Sequence, residues 1–227
     1  MSIFRTVETP CPDCETPVEF ELVYSVAADR RPELREAILD GSFQRGTCPG
    51  CGLAFRADPE FSYVDIGRGQ YIGVWPSAQR GRWRECAART QQVFDTTLGA
   101  AATSEAQEIG RKLEPRVVFG WPALVEKLIA RQAGVDDRTL EVAKVAVLRG
   151  GAELEPPGER EYRLVDMADD DLVFAWVNSA DGAVEDAVRV PRGLIPDIES
   201  DPGRWQALRD AVAEGLVVDF QREALAG

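Results

Sequence analysis

The chain of 227 residues is 44% hydrophobic and 29% charged, which is enough for one large domain or two small domains with their own cores. Histidine is absent, which excludes Ser-His-Asp and Cys-His catalysis, zinc hydrolases of the HExxH type and any histidine-ligated metal site. The formal net charge is −13, and residues 151–227 hold most of it, with 18 acidic and 7 basic side chains. No apolar run reaches the ~18 residues of a membrane helix, and the first residues lack the pattern of a signal peptide, so we expect a cytoplasmic protein.

The first part of the chain is predicted to combine strands with one short helix. Composition and alternation predict strands at 17–26, 53–56 and 71–75. Asp29 is predicted to cap a helix that has Pro32 in its first turn and ends at Gly41. The segment Gly67–Gln70 lacks the length and the lysine of a phosphate-binding loop, so we interpret it as a hairpin turn.

A longer helix is predicted at 79–98, where apolar side chains recur at intervals of three and four residues. Cys86 lies on that apolar stripe, and we interpret it as a buried core thiol; a reactive thiol is the alternative. The small residues at 99–104 predict a loop or an interruption of the helix.

The remainder is predicted to change from helices to a small sheet. The predicted elements are a strand at 116–119, helices at 122–131 and 137–148, strands at 162–167, 172–178 and 184–190, a helix at 203–213 and a strand at 216–220. Pro156-Pro157-Gly158 marks a linker between the two parts. The acidic run Asp169–Asp171 lacks the spacing of a calcium loop, and we interpret it as a solvated turn, with a Ca²⁺ or Mg²⁺ site as the alternative.

Two short cysteine pairs are the strongest motif, Cys11-Pro12-Asp13-Cys14 and Cys48-Pro49-Gly50-Cys51. Four thiolates on two tight turns can surround one tetrahedral ion, and Zn²⁺ is the usual occupant. Four cysteines also fill all four positions of such an ion, so we predict a structural zinc and not a catalytic one. Gly52 follows the second pair and allows the left-handed backbone of such turns, whereas Glu15 follows the first.

Two other interpretations of the cysteine pairs stay open. A single C-x-x-C can be a thioredoxin-type redox pair, but that motif requires a helix starting at the cysteines, and β-type residues follow both pairs here. Iron or another metal could occupy the same four-sulfur site.

The N-terminal part resembles the CpXC domain, a bacterial and archaeal family named for the doubled motif. Besides the cysteine pairs, the resemblance rests on Pro32-Glu33-Leu34, Asp40–Phe43, Tyr63-Val64-Asp65, Val74-Trp75-Pro76, Val118-Phe119-Gly120, Glu126-Lys127 and Gly134–Asp137. It covers about residues 8–150 and implies zinc binding by Cys11, Cys14, Cys48 and Cys51. It implies no activity.

We therefore predict an α+β protein. Residues 1–150 would form a zinc-ribbon-like β module with inserted and following helices, 151–158 a linker, and 159–227 a small acidic α+β module. The predicted function is that of a non-catalytic adaptor that binds other proteins, by analogy within bacterial regulation or defence complexes. The filled four-cysteine site, the lack of histidine and the segregated acidic charge support this prediction.

Two alternative functions remain. Many zinc ribbons bind nucleic acid, and a basic surface could be formed by Arg30, Arg31, Arg35, Arg45, Arg80, Arg82 and Arg84, although the net charge opposes it. An enzyme that uses carboxylates of the C-terminal module is the other alternative, but no pair of carboxylates stands out.

Overall fold

The computed structural model describes residues 1–151, 160–179 and 182–222. Over these residues the chain forms twelve β-strands and seven α-helices. The strands are β1 (Ile3–Pro10), β2 (Pro17–Ala27), β3 (Arg45–Thr47), β4 (Ala54–Arg56), β5 (Phe61–Asp65), β6 (Gln70–Trp75), β7 (Glu114–Phe119), β8 (Arg160–Ala168), β9 (Asp171–Asn178), β10 (Val184–Pro191), β11 (Ala213–Glu214) and β12 (Val217–Val218). The helices are α1 (Pro32–Leu39), α2 (Trp83–Thr97), α3 (Ser104–Gly110), α4 (Gly120–Gln132), α5 (Asp137–Gly151), α6 (Leu194–Ser200) and α7 (Pro202–Ala211).

The larger sheet contains β1, β2, β5, β6 and β7 in that spatial order. The pairs β1–β2 and β5–β6 are antiparallel, whereas β2–β5 and β6–β7 are parallel. Neighbouring residues of β7 point to opposite faces, so Val118 joins a core with α1 and α4 while Val117 joins a second core with α2. Helices therefore cover both faces of the sheet here, and every residue of β6 is buried.

The smaller sheet is antiparallel and consists of β10, β9 and β8, with β9 in the centre. The three predicted strands of this region are confirmed, and so is the α+β class. Tyr162 and Phe174 of this sheet share a hydrophobic core with Ala130 of α4 and Leu140 of α5. Residues of both predicted parts, 1–150 and 159–227, therefore share one hydrophobic core. The domain boundary proposed at 151–158 stays a prediction. Gly151 ends α5, and the rest of the predicted linker lies outside the described residues.

Charged side chains also join the two parts. The buried ionic network consists of side chains that are buried or nearly so, namely Arg80, Glu126, Glu141, Lys144, Glu161, Arg163 and Asp219. Lys144 Nζ lies 3.0 Å from both carboxylate oxygens of Glu126 and 2.8 Å from Oε1 of Glu141. Arg163 lies 3.1 Å from Glu126, 2.5 Å from Glu161 and 2.7 Å from Asp219. Two carboxylates of the acidic C-terminal part, Glu161 and Asp219, are thus paired with arginine.

The structure corrects part of the predicted element list. Asp29 does not cap α1, because its carboxylate accepts hydrogen bonds from the N–H groups of Ile66 and Gly67 at 2.5 and 2.7 Å. These bonds hold the β5–β6 turn, which confirms the hairpin predicted at Gly67–Gln70. Strands β1, β3, β5 and β11 and helices α3 and α6 were not predicted, and the final predicted strand is shortened to β12. None of the described helices is both long and apolar enough to cross a lipid bilayer.

Candidate metal centre

Each cysteine pair forms the turn of an antiparallel hairpin. The first knuckle, residues 11–16, connects β1 and β2, and the last paired residues before it are Pro10 and Pro17. The second knuckle, residues 48–53, connects β3 and β4, where Thr47 pairs with Ala54. In both hairpins the first cysteine follows directly after the last paired residue, so the two turns have the same length and the same register.

The backbone hydrogen bonds of the two knuckles also correspond. Cys11 N–H donates to the Thr16 carbonyl at 3.0 Å, and Cys48 N–H donates to the Leu53 carbonyl at 2.9 Å. Each bond spans five residues, and together with the strand pairing it closes the turn around two sulfur atoms. Two segments 37 positions apart in the sequence (from Cys11 to Cys48) therefore adopt one backbone conformation.

The residue after each pair's second cysteine has a left-handed backbone. Gly52 has φ of 77° and donates its N–H to the Cys48 carbonyl at 3.0 Å. Glu15 has φ of 58° and donates to the Cys11 carbonyl at the same distance. This conformation suits glycine and is unfavourable for a residue with a Cβ. Glu15 therefore adopts a costly conformation because the first knuckle requires it.

The four sulfur atoms lie together at the ends of the two hairpins. Cys11 and Cys51 sulfurs are 3.7 Å apart, Cys14 and Cys48 sulfurs are 3.6 Å apart, and all four lie within 4.8 Å of one another. A tetrahedral ion with metal–sulfur bonds of about 2.3 Å requires sulfur–sulfur distances of about 3.8 Å. The cluster therefore has the dimensions of a four-thiolate metal site, while all four cysteines are free of disulfides.

Two groups outside the cluster form hydrogen bonds with its sulfur atoms. Gly50 N–H donates to Cys48 Sγ at 3.3 Å, and the hydroxyl oxygen of Thr16 lies 3.2 Å from Cys14 Sγ. Hydrogen bonds from the side chain and the backbone of Thr16 lower the pKa of Cys14 to about 6. Thr16 was not predicted as part of the site, and its position two residues after Cys14 is the sequence signal that could have revealed it.

The thiol of Cys51 holds its proton more tightly than a free cysteine does, and this shows why a cation suits the cluster. The backbone N–H of Leu53 lowers the pKa of Cys51, but hydrogen bonding to Cys14 and desolvation raise it, with a net rise to about 12. Sulfur atoms this close share protons, so one thiol loses its proton readily while its neighbour retains one. A divalent cation at the centre would stabilise all four thiolates together. Cys11 and Cys48 are buried, and Cys14 and Cys51 are exposed at the surface.

Other residues singled out from the sequence lie elsewhere. Cys86 is 3% exposed on the buried side of α2, as predicted, and burial raises the pKa of its thiol.

The arginines of the nucleic-acid alternative are mostly paired: Arg31 with Glu33, Arg35 with Asp65, Arg82 with Glu85 and Arg84 with Glu214. Arg80 was wrongly placed on a surface, since it is buried against Glu161. Asp169 and Asp170 lie in the β8–β9 turn and Asp171 begins β9, and the cysteine cluster is the candidate metal site found among the described residues.

The comparison with protein families agrees with this geometry. A family model described as CpXC protein matches residues 9–144. The chain belongs to the CpXC family. The match includes both knuckles and the first half of α5, and it ends before the smaller sheet. Neither a curated protein nor a solved structure matches the chain.

Proposed function

We propose that the four cysteines bind one zinc ion and that this ion is structural. The observation that carries the proposal is the separation of the sulfur atoms, 3.6 and 3.7 Å across two pairs, which matches a tetrahedral thiolate site. Cys11, Cys14, Cys48 and Cys51 would fill all four positions around the ion and leave none for a reacting water. Zinc prefers this donor set in a reducing compartment.

The zinc would connect two hairpins that share little apolar surface. Among the described residues, the hydrophobic cluster at this end contains Cys11, Val18 and Cys48, with Phe55 packed against it. The ring centre of Phe55 also lies 5.7 Å from that of Phe20 on β2. A core this small contributes little to stability, whereas structural zinc sites contribute on the order of 10 kcal/mol at neutral pH. The ion would therefore add a large stabilising contribution to the Phe20–Phe55 contact that holds β4 against the β1–β2 hairpin.

Replacing one ligand tests the structural role. Cys48→Ser should abolish stoichiometric zinc and make the segment from Thr47 to Ala54 sensitive to proteolysis, because metal binding and local folding are coupled. Cys86→Ser is the matched control, since it removes a buried thiol remote from the cluster and should keep the zinc. Retention of zinc by Cys48→Ser, or equal loss in both variants, would contradict the assignment.

We also propose that the protein is an adaptor that binds another protein through β10. This strand lies at the end of the smaller sheet, and within the described residues no strand pairs with its outer edge. Val184 and Val188 on β10 are 57% and 39% exposed, with the acidic residues Glu185 and Asp186 between them. Exposed edge strands accept an added strand from a partner, and exposed apolar residues on one support such a contact.

Affinity purification from the native host tests the adaptor role. Wild type should recover a protein partner in stoichiometric amount, and a Val184→Lys/Val188→Lys variant should lose it. Val93→Lys is the matched control, because Val93 is 40% exposed but lies on α2. Recovery of wild type alone, or retention of the partner by the β10 variant, would contradict the proposal.

A further inference from the structure

A large cleft lies where the smaller sheet meets the CpXC part of the chain. Its volume is about 860 Å³, within the range of small-molecule sites. The β3–β4 hairpin, the end of α1, the start of α4 and strands β8 to β10 all contribute to its walls. Clefts between two packed parts of a protein are a common place for ligand sites.

Two arginines stand side by side in the wall of this cleft. Arg45 on β3 and Arg56 on β4 are directly opposed in the hairpin register. Like charges at opposed positions destabilise a pair of strands. Arg45 Nε donates to the Gly41 carbonyl at 2.6 Å and Arg56 Nε to the Phe43 carbonyl at 2.9 Å, so backbone oxygens orient both guanidinium groups. In the described part of the chain, neither arginine forms an ion pair with a carboxylate.

Arg56 packs against an aromatic ring and is incompletely hydrogen-bonded. Its guanidinium carbon lies 3.9 Å from the ring centre of Trp121, and its buried Nη2 has no hydrogen-bond partner among the described residues. Burial, together with the positive charge of Arg45, lowers the pKa of Arg56 to about 10. An unsatisfied, partly desolvated guanidinium is unfavourable unless an anion or ordered water completes its hydrogen bonds.

The two carboxylates that line the same cleft have other partners. Asp40 accepts a hydrogen bond from Ser42 N–H at 2.8 Å, and Oδ2 of Asp58 accepts from both N–H and hydroxyl of Ser77 at 2.7 and 2.9 Å. Oδ1 of Asp58 is buried without a hydrogen-bond partner among the described residues. These two carboxylates reduce the local positive charge, but neither accepts a hydrogen bond from Arg45 or Arg56. The arginine pair therefore keeps donors for a ligand.

We propose that this cleft binds a small organic anion, with a carboxylate or phosphate group at Arg45 and Arg56. Arginine is suited to both groups because its planar donors match their oxygen atoms. The apolar part of the ligand would lie against Phe55, Pro122 and Val125, which line the cleft beside the arginines. The site goes beyond the proposed structural zinc. Val184 of β10 lines the same cleft, but the two arginines that would hold the anion lie on β3 and β4.

Calorimetric titration of the 227-residue, zinc-containing chain tests the site with three probes. Phenyl phosphate and phenylacetate carry the two candidate head groups, and inorganic phosphate lacks the apolar part. At least one aromatic probe should bind at one site per chain, and inorganic phosphate should bind about tenfold more weakly. The stronger aromatic probe identifies the head group. Absence of binding by both aromatic probes at millimolar concentration, or equal affinity for inorganic phosphate, would overturn the proposal.

Matched variants locate the binding. Arg45→Gln should weaken the aromatic probe about tenfold, because it removes a charge-assisted hydrogen bond from an exposed side chain whose loss leaves the fold intact. Arg138→Gln changes the net charge equally at an exposed position of α5, outside the cleft, and should leave affinity unchanged. Val125→Trp should fill the cleft and weaken binding without changing charge. Equal loss of affinity in Arg45→Gln and Arg138→Gln would overturn the site. Tighter binding of a single-stranded oligonucleotide than of either aromatic probe would also overturn it.

Discussion

Replacing Lys144 with methionine removes the ammonium group between two buried carboxylates. Lys144, Glu126 and Glu141 are each 0% exposed, and the Lys144 nitrogen lies 2.8 to 3.0 Å from their oxygen atoms. Methionine keeps the length of the side chain and fills most of its volume, so the main change is the loss of charge. Removing one partner from a buried ion pair costs about 3–5 kcal/mol of unfolding free energy.

The size of this penalty should depend on pH in a defined direction. Burial raises the pKa of Glu141 to about 7, above its unfolded value of about 4.5. Between these values the folded protein holds a proton that the unfolded chain has lost, so stability falls as pH rises. In wild type this fall ends near pH 7. Lys144 lowers the pKa of Glu141, so in the variant this pKa lies higher than in wild type. The free energy of unfolding of the variant therefore continues to fall above about pH 7, by about 1.4 kcal/mol per pH unit.

Urea unfolding of both proteins with zinc and a reductant measures the effect. The penalty should grow by about 2 kcal/mol between about pH 6 and about pH 8.5. Arg82→Met is the matched control, because it breaks a 2.6 Å pair with Glu85 whose side chains are 68% and 67% exposed. This control should unfold close to wild type at both pH values. A Lys144→Met penalty below about 1 kcal/mol, or one that is constant with pH, would refute the account of the buried ionic network.

Three further predictions concern the knuckles, the network and the remaining thiol. Both Glu15 and Gly52 have a positive φ, so Glu15→Gly should raise the free energy of unfolding of the zinc-bound protein in urea by about 0.5–1 kcal/mol, and Gly52→Ala should lower it by about 1 kcal/mol. Changes of the opposite sign would contradict the shared knuckle conformation. Glu141→Gln should remove a fall in stability of about 3 kcal/mol that wild type shows between about pH 4.5 and 7; an unchanged pH profile would contradict it. Cys86 should react with iodoacetamide only after unfolding, because burial raises its pKa; rapid native labelling, seen by mass spectrometry, would show that the thiol is accessible.

The sequence predicts the cysteine cluster well because local spacing determines it. Two cysteines separated by two residues on a tight turn must place their sulfurs close together, and the structure brings both pairs to one point. The helix at 79–98 was also predictable, since its buried residues recur at helical intervals and α2 spans Trp83–Thr97. Strand β1 was missed because its alternate residues are exposed on an edge strand, so its apolar pattern is weak.

The buried ionic network could not be predicted from the sequence. Charged residues are rarely fully buried, so Glu126 and Lys144 suggest the exposed face of a helix when considered singly. Their pairing joins α4 to α5 across 18 positions, and Arg163 joins them from β8 across 37 positions. The cleft has the same origin, because its walls come from segments that approach each other only when the smaller sheet packs against α4.

Elemental analysis of the purified protein tests the central claim most directly. The 227-residue chain should be expressed without added metal, purified under reducing conditions and measured together with its Cys48→Ser variant. The account predicts one zinc ion per chain in wild type and none in the variant, because four sulfurs within 4.8 Å of one another form the site. Wild type that contains no metal would contradict the claim, and iron in place of zinc would keep the site but overturn the identity of the ion.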